Sequence, residues 1–505
     1  MTNSASRSHL VLILGNQLFP VERVKEKLLH EKGVIVFMRE DEGLCTHFRY
    51  HKHKILFFLA AMRDYAQELR AAGFEVHYEE LGAHQGTFES RLSEAMRTYQ
   101  VRGVSYFEIE DRFFETRIET LLRGLKVKPT VWQSPMFFLS RAEFKADLGA
   151  TKKPFMKTFY ERQRKRFKIL VDSHLKPEGG QWSFDEENRK SLPKDLICPS
   201  LPQFQMNPLQ RQVAKQVDEA FPDHPGRTDE FWLPTNRAGA ILWLDDFLKK
   251  RFREFGAYED ALTQKYPFVF HSILTPYLNT GLLTPEEVVQ RCLKVAKTEN
   301  IPMNSCEGFI RQVLGWREFI RGVDQNFGEV QAKSNFWNHQ RRLTDHWYRG
   351  NTGIEPLDDV IRKTLRYGYA HHIERLMVVG SLMLLLEVHP QEAYRWFMEL
   401  FIDSSDWVMG PNVFGMALFS DGGIFATKPY ICGSNYYKKM GGYRTGKWQL
   451  GVDGLYWSFI DRHREFFSKN PRLSMMVKLC DKMTLEKKQS VFEAAKELKQ
   501  RLTRE

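Results

Sequence analysis

The sequence predicts an α/β N-terminal domain on a parallel, Rossmann-like sheet, joined to a larger all-α C-terminal domain. Three observations carry that prediction. Short apolar runs alternate with helical stretches up to residue 135, both periodicities weaken over 136–225, and nearly everything beyond has helical spacing. The domains are accordingly drawn at residues 1–135, 136–225 and 226–505, the middle one an interdomain connection. No internal repeat is visible.

The first domain opens with HLVLILGNQL and GVIVFM, apolar runs ended by turn residues. The helical stretch HKILFFLAAMRDYAQELRAAG follows, then FEVHYEEL and VSYFEI. Strands alternating with helices imply a parallel sheet covered by helices. Ligands of such sheets sit beyond the carboxyl ends of the strands, so the loop Gly15, Asn16, Gln17 is a candidate pocket wall. No G-x-G-x-x-G or G-K-S/T follows it, which leaves a standard dinucleotide or nucleoside triphosphate site unsupported. KPEGGQWSFDEENRKSLPKDLICPSLPQF, rich in Pro, Gly and charge, reads as a long surface connection. In the last domain AGAILWLDDFLKKRF, PEEVVQRCLKVA, EGFIRQVLGWREFIRG, YAHHIERLMVVGSLMLLLEV and QEAYRWFMELFI all read as helices.

A chain of 505 residues that is 42% hydrophobic can bury a large core, which argues against disorder. No apolar stretch approaches the ~20 residues that span a bilayer, and LVLIL is too short for a signal-peptide core, so a soluble cytoplasmic protein with no membrane partner is expected, and a monomer. Cys45, Cys198, Cys292, Cys306, Cys432 and Cys480 form no C-x-x-C pair, which signals neither a disulfide framework nor a zinc site. The net charge of +11 points to a polyanion. In YERQRKRFK the residues Arg162, Arg164, Lys165, Arg166 and Lys168 make either a solvated charged face or a phosphate-contacting surface. The 38 Phe, 18 Tyr and 11 Trp suit a large core, and equally stacking on bases or a planar cofactor.

Two adjacent histidines in YAHHIERLMV open an apolar helical stretch. Neighbouring residues of a helix point about 100° apart, so His371 and His372 cannot easily share one metal ion. Each has its own task, or none.

Several motifs in order resemble one family. HSILTPYLNTGLLTP resembles the photolyase and cryptochrome segment that binds FAD phosphates, and EGFIRQVLGWREF is similar to the helix that closes the same pocket. YAHHIERLMVVG, WVMGPNVFGM and DGGIFATKPYICGSNYYKKM resemble the prokaryotic photolyase-related branch that repairs pyrimidine-pyrimidone 6-4 lesions and normally carries an iron-sulfur cluster. The likeness runs from the first strand to beyond GLYWSF.

The resemblance implies a DNA 6-4 photolyase that uses FAD and blue light on UV-damaged DNA. Tyr258, Ser272, Leu274, Thr275 and Arg317 would hold FAD, and Arg375 with Asp403 would sit beside the flavin ring, where a fixed cation stabilises an anionic reduced form. His372 would face the lesion as proton donor, with His371 adjusting its charge state and Gln312 lining the pocket. Trp396, Tyr348 and Tyr436 would relay electrons. Phe397 stands where a tyrosine is common, so Trp347 is an alternative way out. Asn16 and Glu42 would hold the antenna 6,7-dimethyl-8-ribityllumazine, and Asp185 with Asp260 would place a magnesium ion near the DNA backbone. The largest departure is at the cluster: the positions matching its four cysteines read Pro356, Arg444, Lys447 and Leu450, so no iron-sulfur cluster is expected. The competing readings are a cryptochrome-like blue-light photoreceptor on the same scaffold and a light-independent nucleic-acid-binding helical protein.

Overall fold

In a computed structural model of the chain, residues 9–505 are described except 30, 32, 150–152 and 472; the first eight residues of the expected N-terminal domain lie outside them. Five parallel strands, β1 (His9–Leu12), β2 (Val34–Arg39), β3 (Glu75–Glu79), β4 (Gly103–Phe107) and β5 (Thr130–Trp132), form one sheet in the order β3-β2-β1-β4-β5. His9 of β1 registers with Val34 of β2 and Gly103 of β4. The strand order reverses beside β1, which makes its carboxyl end the crevice where such sheets take ligands. Lys52–Ala71 covers one face with Leu56, Phe57 and Ala60 fully buried, while Phe88, Leu92 and Ile118 fill the other.

The stretch assigned to a connection is only partly irregular. It contains the helices Arg141–Leu148, Met156–Phe167 and Pro208–Ala220, the first and last opened by reciprocal caps in which Ser140 and Asn207 pair with Glu143 and Gln210. Residues 168–207 hold short 3₁₀ turns and an isolated bridge between Val171 and Pro177, in keeping with their Pro, Gly and charge content. Arg164, in the middle of the basic run, is fully buried and donates to the carbonyls of Ile169 (3.4 Å) and Trp182 (3.0 Å). It ties down this long segment and is removed from any phosphate-binding surface; Arg162, Lys165, Arg166 and Lys168 remain exposed.

Beyond it the chain is helical, and among the described residues no helix is long and apolar enough to cross a membrane. Three π-helical turns interrupt the helices at Arg311–Arg317, Glu374–Gly380 and Pro411–Ala417. The second and third pack together where Gly380 meets Ala417; a Cβ on Gly380 would come within 2.7 Å of the Ala417 methyl. The two parts share a core and polar joints. Leu18 N–H donates to Thr280 C=O (2.8 Å), Arg321 forms a buried pair with Glu110 (2.9 Å), and the Glu318 carboxylate accepts from the Phe138 and Leu139 amides.

Candidate functional site

The helix Thr275–Thr280 follows a loop fixed by Trp243 Nε1, which donates to Ser272 C=O at 3.2 Å. With only six residues it carries little dipole, so hydroxyls and local amides must supply any anion binding. Leu274 is 1% exposed and offers its backbone only, whereas Thr275 is exposed and its Oγ1 donates to Asp403 Oδ2 at 2.6 Å. Asp403 in turn holds Arg375 in a two-pronged pair of 2.9 and 3.1 Å, and Asn279 Nδ2 donates to its carbonyl at 2.9 Å. Arg317 reaches the same helix, giving bonds to Asn279 Oδ1 (2.5 Å) and Leu278 C=O (3.0 Å) while lying 4.7 Å over the Trp407 ring. Thr275, Arg317, Arg375 and Asp403 therefore belong to one assembly, linked through Asn279, and Ser272 lies in the loop just before it. Tyr258 stands apart from these bonds, stacked on Phe270 two residues before Ser272 (5.6 Å, 28°). Gln312 is half-buried in the first π turn, its amide directed at Gly308 C=O.

The two histidines divide as neighbouring residues must. His371 is 1% exposed, lies just before the helical segment, and stacks on His271 with ring centroids 4.6 Å apart at 10°. Neither ring nitrogen of His371 has a hydrogen-bond partner; Glu374, itself held by Lys363 Nζ at 2.8 Å, stands 3.6 Å from Nε2. His372 begins the helical segment with its side chain accessible, and desolvation by the surrounding chain followed by the Arg375 charge pushes its pKa down to about 4. Burial also holds His371 and His271 well below the usual range. All three rings are thus neutral at neutral pH in the free protein. His271 was not singled out by sequence reasoning; nothing in HSILTPYL signals that it stacks beneath the histidine pair.

A pH consequence follows. A histidine whose folded pKa lies below its unfolded value of ~6.5 contributes stability that is complete above that value and is lost as pH falls towards the folded value. Glu318 and Asp324, raised to about 7 by burial, act in the opposite direction, so a differential measurement is needed. The stability of the flavin-free protein relative to its His371→Gln variant should shrink between about pH 7 and pH 5 in chemical denaturation. A gap that widens over that range would contradict the assignment of a neutral buried ring.

Trp396 is fully buried, and its ring meets Phe401 at 5.7 Å, the same ring over which Arg375 lies at 3.9 Å. Trp396 Nε1 donates to Trp347 C=O (3.0 Å), and the two indoles are 6.4 Å apart at 80°. The alternative exit through Trp347 is therefore in contact, with Tyr348 next to it in the chain. Tyr436 is not on this path. Its ring packs on Tyr437 at 6.0 Å and its phenol faces Asp260, Cys432 and Arg189, because Ser434–Gly441 lies on the side of the acidic cluster.

At the sheet crevice a cavity of about 150 Å³ is lined by Asn16, Asp41, Lys54, Phe113, Asp111 and Asp406, among others. Asn16 Nδ2 donates to Asp111 Oδ2 at 3.1 Å. Glu42 is exposed to solvent and does not line the cavity; the wall carboxylates before it are Glu40 and Asp41, because Glu42 begins a short helix that Asp41 caps. Lys54, missed in the sequence, donates to Ser404 Oγ and C=O (both 2.8 Å), and burial lowers its pKa to about 8.

Asp185 is already met by Arg189 and by Arg311 at 3.2 Å, and beside it Asp260 is raised to about 6 by burial. Among the described residues no group of three His, Cys, Asp or Glu is arranged to hold a metal ion. Arg189 and Arg311 supply the positive charge beside this carboxylate pair, the place where the sequence leads one to expect magnesium. In the stretch matching the cluster loop, Tyr443 and Trp448 are buried, with Tyr443 Oη donating to Asp359 at 2.9 Å. Arg444, Lys447 and Leu450 point outward, Pro356 starts the helix Glu355–Tyr367, and among the described residues Arg444 and Lys447 form no ion pair.

Comparison with known proteins agrees with this geometry. The family model for deoxyribodipyrimidine photo-lyase-related protein matches residues 11–233, and the FAD binding domain of DNA photolyase matches 309–435. The second match contains Gln312, Arg317, His371, His372, Arg375, Trp396 and Asp403 but not Tyr258, Ser272, Thr275 or Tyr436. The chain is 32% identical over 479 residues to a (6-4) photolyase of Agrobacterium fabrum, covering 92% of this chain and 94% of that protein. The mitochondrial deoxyribodipyrimidine photo-lyase of Saccharomyces cerevisiae is 26% identical over 45% of this chain and 40% of its own length. Among solved structures, a class III photolyase from Agrobacterium tumefaciens superposes with a TM-score of 0.60 over 98% of both chains at 16% identity. The Synechocystis cryptochrome gives 0.57 over 98% and 99% at 15%. The fold, the assembled arginine–aspartate and histidine groups and the near-full-length relative together show that the chain belongs to the photolyase/cryptochrome family, as an FAD-binding member.

Proposed function

We propose that the protein is a light-driven 6-4 photolyase. The observation that carries this reading is an accessible His372 adjoining the buried His371, which stacks on His271, and lying in the field of Arg375, which Asp403 holds in place. The residues fit FAD. Ser272 and Thr275 offer hydroxyls and Leu274 its backbone to the phosphates, Arg375 is a cation held in place by Asp403, and the buried His371 keeps both ring nitrogens without a hydrogen-bond partner. When bound and reduced, FAD supplies the light-excited electron. The chain's residues do the rest. His372 delivers a proton at the lesion, Gln312 lines its pocket, and the 6,7-dimethyl-8-ribityllumazine antenna is assigned to the crevice cavity at Asn16 and Lys54. The exposed basic residues Arg162, Lys165, Arg444 and Lys447 are suited to DNA phosphates.

Illuminating the FAD-loaded, reduced protein with a duplex containing one 6-4 photoproduct tests this. Lesion loss should require both light and protein; flavin binding without lesion loss would favour the photoreceptor reading, and a colourless protein that cannot be reconstituted with FAD would end both. Changing Trp396 to Phe should slow photoreduction of oxidised flavin about tenfold or more while sparing repair by chemically reduced protein, since the first needs the relay and the second does not; equal photoreduction rates would place the electron entry elsewhere. No cluster belongs to this reading, because Pro356, Arg444, Lys447 and Leu450 cannot ligate iron and Cys432 Sγ is turned to Met377 C=O at 3.4 Å. Iron and acid-labile sulfide should be below one per chain after expression with ample iron, and about four irons per chain would overturn it.

A further inference from the structure

Where the electron relay meets the surface, the structure places a phenol on a carboxylate. Tyr348 Oη donates to Glu399 Oε2 at 2.8 Å, and the Arg49 guanidinium lies 5.0 Å over the same ring. Glu399 is 6% exposed and Tyr348 is half-buried at the edge of a surface basin of about 560 Å³ that Arg49, Arg349 and Arg395 help to line. Inward, Tyr348 is the chain neighbour of Trp347, whose ring is in edge contact with Trp396. Phe397, which also touches Trp396 at 5.4 Å, is too hard to oxidise to compete.

We infer that Tyr348 is the terminal electron donor of the relay and that Glu399 takes its proton, so that the hole leaves Trp396 in a proton-coupled step. This rests on the flavin photochemistry proposed above. The step balances as follows. Once Trp396 has been oxidised, one electron passes from Tyr348 through Trp347 to the Trp396 radical cation as the phenolic proton moves from Tyr348 Oη to Glu399 Oε2. The products are neutral Trp396, a neutral tyrosyl radical and a neutral Glu399 acid. Two features of the geometry favour this course. A guanidinium over the ring penalises a tyrosyl radical cation, so oxidation without proton loss is disfavoured. Burial raises the pKa of Glu399 against the pull of Tyr348, Arg49 and Arg395, with Glu392 adding to the rise, which makes it a better base than an exposed carboxylate. The electron-transfer partner predicted from the sequence thus acquires a proton acceptor that the sequence did not announce.

The test is flash photolysis of the FAD-loaded protein with the Trp radical followed by transient absorption and the tyrosyl radical by electron paramagnetic resonance. In the wild type a Trp radical should give way to a neutral tyrosyl radical, more slowly in D₂O. Glu399→Gln keeps the size and an oxygen acceptor but removes the base; it should lose the tyrosyl signal and prolong the Trp radical by about 10²-fold. Tyr348→Phe should do the same, with flavin content and circular dichroism of both variants unchanged. A tyrosyl radical formed at the wild-type rate in Glu399→Gln, or one that persists in Tyr348→Phe, would overturn the inference while leaving the flavin reading intact. A wild-type protein that binds FAD but shows no aromatic radical on illumination would overturn the relay itself.

Discussion

Replacing His372 with Ala is expected to lower light-driven lesion repair by about 10²–10⁴-fold, the usual worth of a positioned proton donor, with flavin content unchanged. The separation is physical. His372 is accessible and makes none of the bonds that build the Arg375, Asp403 and Thr275 assembly, so its loss removes a proton and leaves the cofactor's surroundings in place. In the free protein the ring is neutral, with its pKa pushed down to about 4 by burial and by Arg375. A bound polyanion counters the Arg375 field and favours the charged ring, so the donor is recharged where it is needed. Repair per absorbed photon in wild type and variant, each carrying equal flavin, checks this; undiminished repair by the variant would move the proton donor elsewhere.

The second large effect concerns the Arg375–Asp403 pair. Removing one partner of a buried pair leaves an uncompensated charge, which costs about 3–5 kcal/mol. Asp403→Ala should therefore destabilise the flavin-free protein by about 3 kcal/mol, since Arg375, 13% exposed, would keep only its bond to Ala370 C=O (2.6 Å), and Thr275 would lose its acceptor. It should also lose FAD on gel filtration. The double change Arg375→Met with Asp403→Leu removes both charges and should recover most of the stability without recovering the flavin. Flavin retention by the double variant, measured with chemical denaturation alongside, would show that the pair serves the fold and not the cofactor.

How far the sequence reveals this molecule differs by element. β1, β2 and β4 are legible because each sits in an apolar run closed by turn residues, and β3, Glu-Val-His-Tyr-Glu, through its Val and Tyr between helical stretches; β5 is three residues long and mostly exposed at the sheet edge, so it carries no such pattern. The helices opened by Ser140 and Asn207 had a readable signal, since Glu143 and Gln210 stand three residues on from each cap. The π turns had none: a residue added to a helical turn shifts which side chains face inward without changing composition. The same limit explains the site. His372, Arg375 and Asp403 were legible through long motifs, whereas the His271 stack, the Arg311 that meets Asp185 and the Glu399 beneath Tyr348 are made by elements distant in the chain. Arg164 shows the reverse error, a charged run whose central member is buried because it shares a helix face with Tyr160.

The direct measurement offers the FAD-loaded, chemically reduced protein two duplexes of the same sequence, one with a single 6-4 photoproduct and one with a cyclobutane dimer, under blue light and in darkness. The 6-4 duplex should be restored in light alone, with the cyclobutane duplex unchanged and the His372→Ala protein inactive. Restoration of the cyclobutane duplex instead, or of neither by a protein that retains photoreducible flavin, would contradict the 6-4 photolyase reading.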